Sequence, residues 1–341
     1  MKRKLEVVAA VFTIALILGA IVTTRQFLQS YLFAWLFWLG IALGSVALLM
    51  MHDLTGGKWG NAIRGPLSAA ALTLPLLAIL FIPVLAGVHA LYPWTHSNAP
   101  QVIRKAIYLN IPFFIVRAVL YFACWIALAW ATVRRRARFA PWAGGGLVLY
   151  SVTMTFAGWD WMMSLEPKWW STIYGMIVIT GQGISALALM VIVAALWHRT
   201  DEQLHDLGNL LLAFVIFWTY VSFSQLLLIY AGDVKEEIAW YLPRLQTSWM
   251  WLAVALISFF FFAPFIVLLF RFVTRNAILL AAVGVLLLAM RGVDLFWTIA
   301  PAFHPARFTV SWLDFVAPIA LGAIWLIAFR WLLQRPEIRH A

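Results

Sequence analysis

Charged and hydrogen-bonding side chains are scarce in this sequence, so each one set within an apolar run invites a chemical reading. Arg117 closes the run Ile111-Pro112-Phe113-Phe114-Ile115-Val116. Arg291 and Asp294 stand three apart in Met290-Arg291-Gly292-Val293-Asp294-Leu295, a spacing that puts both on one helix face. Asp160 lies in Gly158-Trp159-Asp160-Trp161. An Arg or Asp at the centre of a bilayer costs roughly 2.5–3.5 kcal/mol to insert, so such residues face protein or water and carry partners or function. Two readings stay open for each. Arg117 either ties two helices together or serves a proton route. Arg291 and Asp294 either neutralise each other or let Asp294 exchange a proton that Arg291 helps it release. Asp160 either handles protons near one membrane surface or is a helix-end aspartate meeting water.

Uncharged polar residues repeat the pattern. Gln182 sits in Thr180-Gly181-Gln182-Gly183-Ile184-Ser185, while Trp218, Ser222 and Gln225 follow an i, i+4, i+7 spacing that aligns them on one face. Helix packing through small and hydrogen-bonding residues explains them, and so does a hydrated path. His52-Asp53 and His205-Asp206 offer groups titrating between roughly pH 4 and 7, suited to collecting protons at a membrane mouth. Ordinary loop polarity is the competing account.

These residues must be held by membrane helices. With 65% hydrophobic and 11% charged residues over 341 positions, the chain is too apolar for a water-soluble globule. A helix needs roughly twenty apolar residues to cross hydrocarbon. Ten stretches qualify, near 5–24, 29–51, 66–91, 108–133, 142–163, 170–197, 207–230, 247–271, 277–300 and 310–333. The expected fold is an all-α integral membrane protein whose single membrane domain fills 1–341. The first run follows the basic Met1-Lys2-Arg3-Lys4 and is read as a retained helix rather than a cleaved signal peptide. Alternate connections hold fifteen and seven of the 24 Lys and Arg, with Arg117 and Arg291 inside spans, which predicts two cytoplasmic termini. Tryptophans near span ends, among them Trp94, Trp142, Trp169, Trp170, Trp240 and Trp249, suit an interfacial belt.

His52-Asp53-Leu54 and His205-Asp206-Leu207 form a short internal echo after the second and sixth spans. It suggests two four-helix bundles, 29–163 and 170–300, with 5–24 and 310–333 as flanking helices. Several functions are disfavoured. The net charge of +11 is dispersed, clustering only at Arg134, Arg135, Arg136 and Arg138, so no nucleic acid partner is expected. The single cysteine, Cys124, excludes an intrachain disulfide and an iron–sulfur cluster held by this chain alone. No spacing of His, Cys or carboxylates makes a metal motif, and no nucleotide-binding loop or nucleophile elbow is present.

The run Trp159-Asp160-Trp161-Met162-Met163-Ser164-Leu165-Glu166-Pro167-Lys168-Trp169-Trp170-Ser171-Thr172-Ile173-Tyr174-Gly175 resembles a junction in the F subunit, or quinone-binding subunit 2, of alternative complex III, a quinol:cytochrome c oxidoreductase. Similar stretches are Leu54-Thr55-Gly56-Gly57-Lys58-Trp59-Gly60, Tyr108-Leu109-Asn110-Ile111-Pro112-Phe113-Phe114, His205-Asp206-Leu207-Gly208 and Phe223-Ser224-Gln225. The resemblance runs from about residue 30 to 335. It implies an NrfD/polysulfide-reductase-type membrane subunit of ten helices in two four-helix bundles, with no catalytic residues or prosthetic group of its own, located in a bacterial inner membrane. The implied complex oxidises menaquinol, and iron–sulfur and multihaem cytochrome c partner subunits, carrying the clusters and haem c, pass electrons onward. A related C-type membrane subunit is the better quinol site. Quinone binding by the present chain stays open, and its implied contribution is scaffolding with proton conduction through half-channels. The chain differs in a short fourth-to-fifth connection and a brief C-terminal tail. Arg117, Asp160, Gln182, Ser222, Gln225, Arg291 and Asp294 are the expected proton-path residues, with His52, Asp53, His205 and Asp206 at the cytoplasmic mouth. A secondary transporter and a purely structural subunit are the alternative readings.

Overall fold

The computed structural model describes residues 2–197 and 199–339. His198 and His340, and the side chains of Lys2, Arg3 and Arg339, lie outside the described residues. Among those described there is no strand. Ten long helical segments follow in order: α1 Lys2–Val22, α2 Thr24–Thr55, α3 Lys58–Ala86, α4 Ile111–Arg134, α5 Ala143–Trp161, α6 Tyr174–Leu196, α7 Asp201–Gly232, α8 Met250–Leu268, α9 Ala277–Ile299 and α10 Leu313–Leu333. Nine of these are long and apolar enough to cross a membrane. The exception is α5, where glycines, hydroxyls and Asp160 dilute the hydropathy of a helix otherwise 19 residues long. The chain is an all-α, multi-span membrane protein.

Local chemistry sets several boundaries. Asn110 accepts a hydrogen bond from the Phe113 amide at the head of α4, where Pro112 already lacks the N–H that an N-terminus leaves unpaired. Asn276 caps α9 through the amides of Ile278 and Leu279. Thr200 and Gln203 form a reciprocal capping box on α7. Thr200→Ala is expected to lower stability by about 1 kcal/mol, read as a small drop in the thermal midpoint of the detergent-solubilised protein. Between α2 and α3 only Gly56 and Gly57 intervene, at φ +68° and +100°, a backbone that side chains rarely adopt. The connection expected there over residues 52–65 is therefore mostly helix. Arg64, expected in a surface loop, is buried on α3.

Two spans are irregular, and proline is the common cause. Within α3 the helix breaks at Leu72–Thr73 and again at Leu80–Phe81, before Pro75 and Pro83 respectively. Each proline lacks an N–H and crowds the preceding turn. Side chains from neighbouring helices satisfy groups near the breaks: Trp35 Nε1 donates to Leu77 O at 2.9 Å and Tyr31 OH to Leu80 O at 2.7 Å. Trp325 Nε1 donates to Thr73 Oγ1 at 2.8 Å. Helix α8 widens into a π-turn over Leu256–Phe262, just ahead of Pro264.

Helix α6 is the hub, packing on α2, α5, α7 and α9. Its closest approach is to α2, where a Cβ on Gly44 would stand 2.1 Å from the Gln182 carbonyl oxygen. Helices α3, α4 and α5 gather around α2, α7 and α9 pack on α6, and α8 packs on α7 and α9; α10 lies against α1, α2 and α3. Contacts between distant connections show that successive helices alternate in direction. On the face where α2 ends, Lys58 meets Glu202, Arg134 meets Glu337 and Arg136 meets Asp53. On the opposite face Arg244 meets Glu166, and Ser30 donates to Asp314.

The expected tryptophan belt is only partly lipid-facing. Trp142 and Trp170 are exposed at 72% and 41%, as interfacial anchors should be. Trp94, Trp169, Trp240 and Trp249 are buried. Their indole N–H groups or ring faces have found partners inside the protein: Trp94 donates to Ser164, Trp169 to Glu237 O and Trp249 to His304 O, while Trp240 stacks beneath Arg244.

Candidate functional site: two buried ion pairs and an apolar cavity

Arg117 and Asp160 come from different helices and meet. Helix α4 presents Arg117 about two turns past its Asn110 cap, and α5 presents Asp160 in its last turn. The contact is bidentate, with Arg117 Nε donating to Oδ2 and Nη2 to Oδ1, both at 2.8 Å. Tyr121, one turn further along α4, donates its hydroxyl to the same Oδ2 at 2.8 Å. The third guanidinium nitrogen donates to Tyr108 O at 2.8 Å, and the guanidinium lies 3.9 Å over the Tyr108 ring and 4.3 Å over Phe113. Asp160 is 0% exposed and Arg117 5%. Of the two accounts of Asp160, the water-facing helix end is thus excluded. A buried carboxylate with three donors and a buried guanidinium with its nitrogens engaged form a closed electrostatic unit.

Arg291 and Asp294 do pair on α9, as their spacing predicted. The Arg291 guanidinium packs against Gly181 of α6, whose lack of a side chain leaves the room. Both residues line a cavity of about 440 Å³ enclosed by α6, α7, α8, α9 and the segment before α8. Ser222 and Gln225 line the same cavity, so the face read from their spacing on α7 points into it. Gln225 accepts from Ser171 at 2.8 Å and donates to Tyr241 OH at 3.1 Å. Ser222 Oγ, Trp218 Nε1 and Trp297 Nε1 are buried with no hydrogen-bond partner, although all three residues line the cavity. The π-turn of α8 supplies part of the wall through Leu256, Ile257 and Phe261.

Arg244, which falls in the connection expected over residues 231–246, is fully buried beside this cavity. It sits on the short helix Tyr241–Gln246 and donates to Glu166 Oε2 at 2.9 Å, Trp240 O at 2.6 Å and Thr298 O at 2.7 Å. A cation on the terminal carbonyls of α9 also complements that helix's dipole. Its position between Trp240 and Gln246 was the available signal, since a charge among Trp, Tyr and Leu residues is expensive to leave unpaired.

Gln182 belongs to neither cluster. Its Oε1 accepts from Tyr150 OH at 2.5 Å and its Nε2 donates to Met154 Sδ at 3.1 Å, which joins α5 to α6. No side-chain hydrogen bond among the described residues joins Gln182 to Asp160 or to Asp294.

The two His-Asp pairs occupy the other face, but on helices rather than in loops. Asp53 accepts from Arg64 at 2.8 Å and from Arg136 at 3.1 Å. His52 is buried at the end of α2, with Nδ1 3.2 Å from Arg64 and Nε2 3.1 Å from Gly57 O. His205 is half-buried in the second turn of α7, its Nδ1 2.7 Å from Thr274 Oγ1; Asp206 is half-buried beside it. The tripeptide echo does not extend to equivalent bonding, because only the first pair has an arginine. Arg64 and Tyr121 complete two of these clusters. Neither was legible as a site residue, because their partners lie 11 and 39 positions away.

Among the described residues no group of three His, Cys, Asp or Glu side chains converges as a metal site. No protein-family model matches the sequence, and no curated protein matches it.

Proposed function

We propose that this chain is a membrane subunit of a quinol:electron-acceptor oxidoreductase of the alternative complex III kind, where it scaffolds the assembly and conducts protons. The junction from Trp159 to Gly175 carries this reading. It supplies both Asp160 and Glu166, the carboxylates that engage the buried arginines Arg117 and Arg244. Electrons would travel through iron–sulfur and multihaem cytochrome c subunits, with quinol oxidised beside a related C-type membrane subunit. Protons need only buried titratable and polar groups and water, and Asp294, Ser222 and Gln225 supply such groups in the otherwise apolar wall of the cavity. The membrane would be a bacterial inner membrane with both termini cytoplasmic, in keeping with the Lys and Arg distribution.

A secondary transporter is the second reading, favoured by the broken α3 and the π-turn of α8. It ranks lower because side chains from α2 and α10 fill the region around the breaks in α3.

Purification from native membranes separates the two. Copurifying c-type haem and quinol-dependent reduction of an acceptor are expected; a chain that purifies without haem-bearing partners refutes the proposal. In the intact complex Asp294→Asn is expected to slow proton movement across vesicles by about tenfold or more, as loss of an obligatory proton carrier does. If quinol oxidation and proton movement both match the unaltered complex, Asp294 carries no protons.

A further inference from the structure

A second cavity, of about 490 Å³, opens at the face where α4 and α6 begin and α5 ends. Its lining divides by chemistry. Arg104 and Lys105 stand at one side, and Phe156, Trp159, Met163 and Trp170 supply apolar wall. Among the described residues no carboxylate lines it. Arg104 is exposed, and its side chain makes no hydrogen bond or ion pair with a described residue. Lys105 spends one of its three donors on Pro167 O at 2.8 Å and lies 5.5 Å from the Trp170 ring centre. One further donor on this wall, Trp159 Nε1, is buried without a hydrogen-bond partner among the described residues, whereas the Tyr108 hydroxyl is turned toward Asp160 and Tyr121. An unpartnered donor costs free energy unless something accepts from it. Phe156 and Trp170, 37% and 41% exposed, continue the apolar wall outward onto the surface that faces lipid.

Cations, an unpartnered donor and an apolar wall open to the bilayer ask for an anionic head with several acceptor oxygens joined to a hydrocarbon tail. We propose that this cavity binds an anionic glycerophospholipid, its phosphate between Arg104 and Lys105, an acceptor oxygen toward Trp159, and an acyl chain along Phe156. Two cations beside one phosphate favour an anionic lipid over a zwitterionic one, whose own ammonium they repel. Partial burial lowers the Lys105 ammonium below the usual lysine range, and a phosphate beside it would relieve that penalty. The bound lipid would also act on the protein, because the Tyr108 carbonyl and ring hold Arg117 against Asp160. A headgroup held by Arg104 and Lys105 steadies the segment that carries Tyr108. The inference depends only on the chain being a membrane protein and is independent of any role in quinol oxidation.

The test uses the protein as it purifies from its membrane, stripped of lipid in detergent and titrated with phosphatidylglycerol, phosphatidylcholine or inorganic phosphate. Retained lipid is counted by native mass spectrometry. Saturable retention of one phosphatidylglycerol per chain is expected, with weaker retention of phosphatidylcholine and no displacement by millimolar phosphate. Arg104→Gln with Lys105→Gln is expected to weaken phosphatidylglycerol binding about tenfold or more, and Trp159→Phe to weaken it less. Equal retention of the two lipids, or unchanged binding in both variants, would overturn the proposal. Displacement by inorganic phosphate would overturn it in favour of a free-anion site. Should the double variant fail to fold, Arg104→Gln alone decides, since that side chain bonds no described residue.

Discussion

Asp160→Ala is expected to destabilise the protein by about 3–5 kcal/mol, the usual cost of leaving one member of a buried ion pair without its partner. Arg117 would keep its bond to Tyr108 O but lose two charge-assisted bonds, and Tyr121 would lose its acceptor. None of these groups can turn to water, because the pair is enclosed by α4, α5 and the ring of Tyr108. The thermal midpoint of the detergent-solubilised protein should fall steeply, or the chain should fail to accumulate in membranes. Replacing both members with apolar residues of similar volume, Arg117→Met with Asp160→Leu, removes both charges and should recover much of the loss. That contrast also assigns the role. A double variant that folds and keeps full activity in its complex makes the pair structural, whereas one that folds and loses proton movement makes it functional. An Asp160→Ala protein as stable as the unaltered chain would mean that water reaches the pair.

Gly44→Val is the second large effect. At this position the first atom of any side chain would lie 2.1 Å from the backbone oxygen of Gln182 and 2.9 Å from the Ala186 Cβ. The nearest obstacle is backbone, so no rotamer change relieves it, and α2 and α6 must separate. Overpacking of this kind costs about 1–3 kcal/mol and occasionally more. Gly44 lies at the upper end, because α6 is simultaneously held by α5, α7 and α9. Small residues serve close helix approach where lipid provides no hydrophobic drive for association. The expected result is a lower thermal midpoint together with loss of the Tyr150–Gln182 bond as α6 shifts. A Gly44→Val protein with an unchanged midpoint would show that the two helices can slide past each other freely.

The proposed site was legible in unequal parts. Arg291 and Asp294 could be paired from their spacing because both ride one helix, and the periodicity of helices is known before any fold. The same logic aligned Ser222 with Gln225, and both line the cavity beside that pair. Arg117 and Asp160 were each singled out, since a charge in an apolar run is conspicuous, but as separate features. Their contact spans 43 positions and depends on how α4 leans on α5. Arg244 and Arg64 were read as loop charges that orient the chain. They are buried because a short helix at one face and an early start of α3 at the other draw them inward to Glu166 and Asp53. The four buried tryptophans failed for a related reason: proximity to a span end does not say whether lipid or a neighbouring helix covers the ring.

What this sequence determined by itself is its solvent and its periods. Long apolar runs must form helices in a bilayer, because every backbone N–H and C=O there has to bond within its own segment. Side chains three or four apart on such a helix share a face in any fold. Which helices touch was decided only by the tertiary structure, through close approach at Gly44 and through the breaks that Pro75 and Pro83 impose on α3. Pairing of distant charges follows from those contacts, since a buried Arg is stable only where packing brings a particular Asp or Glu to it. One helix's periodicity carries no information about the face its neighbour presents.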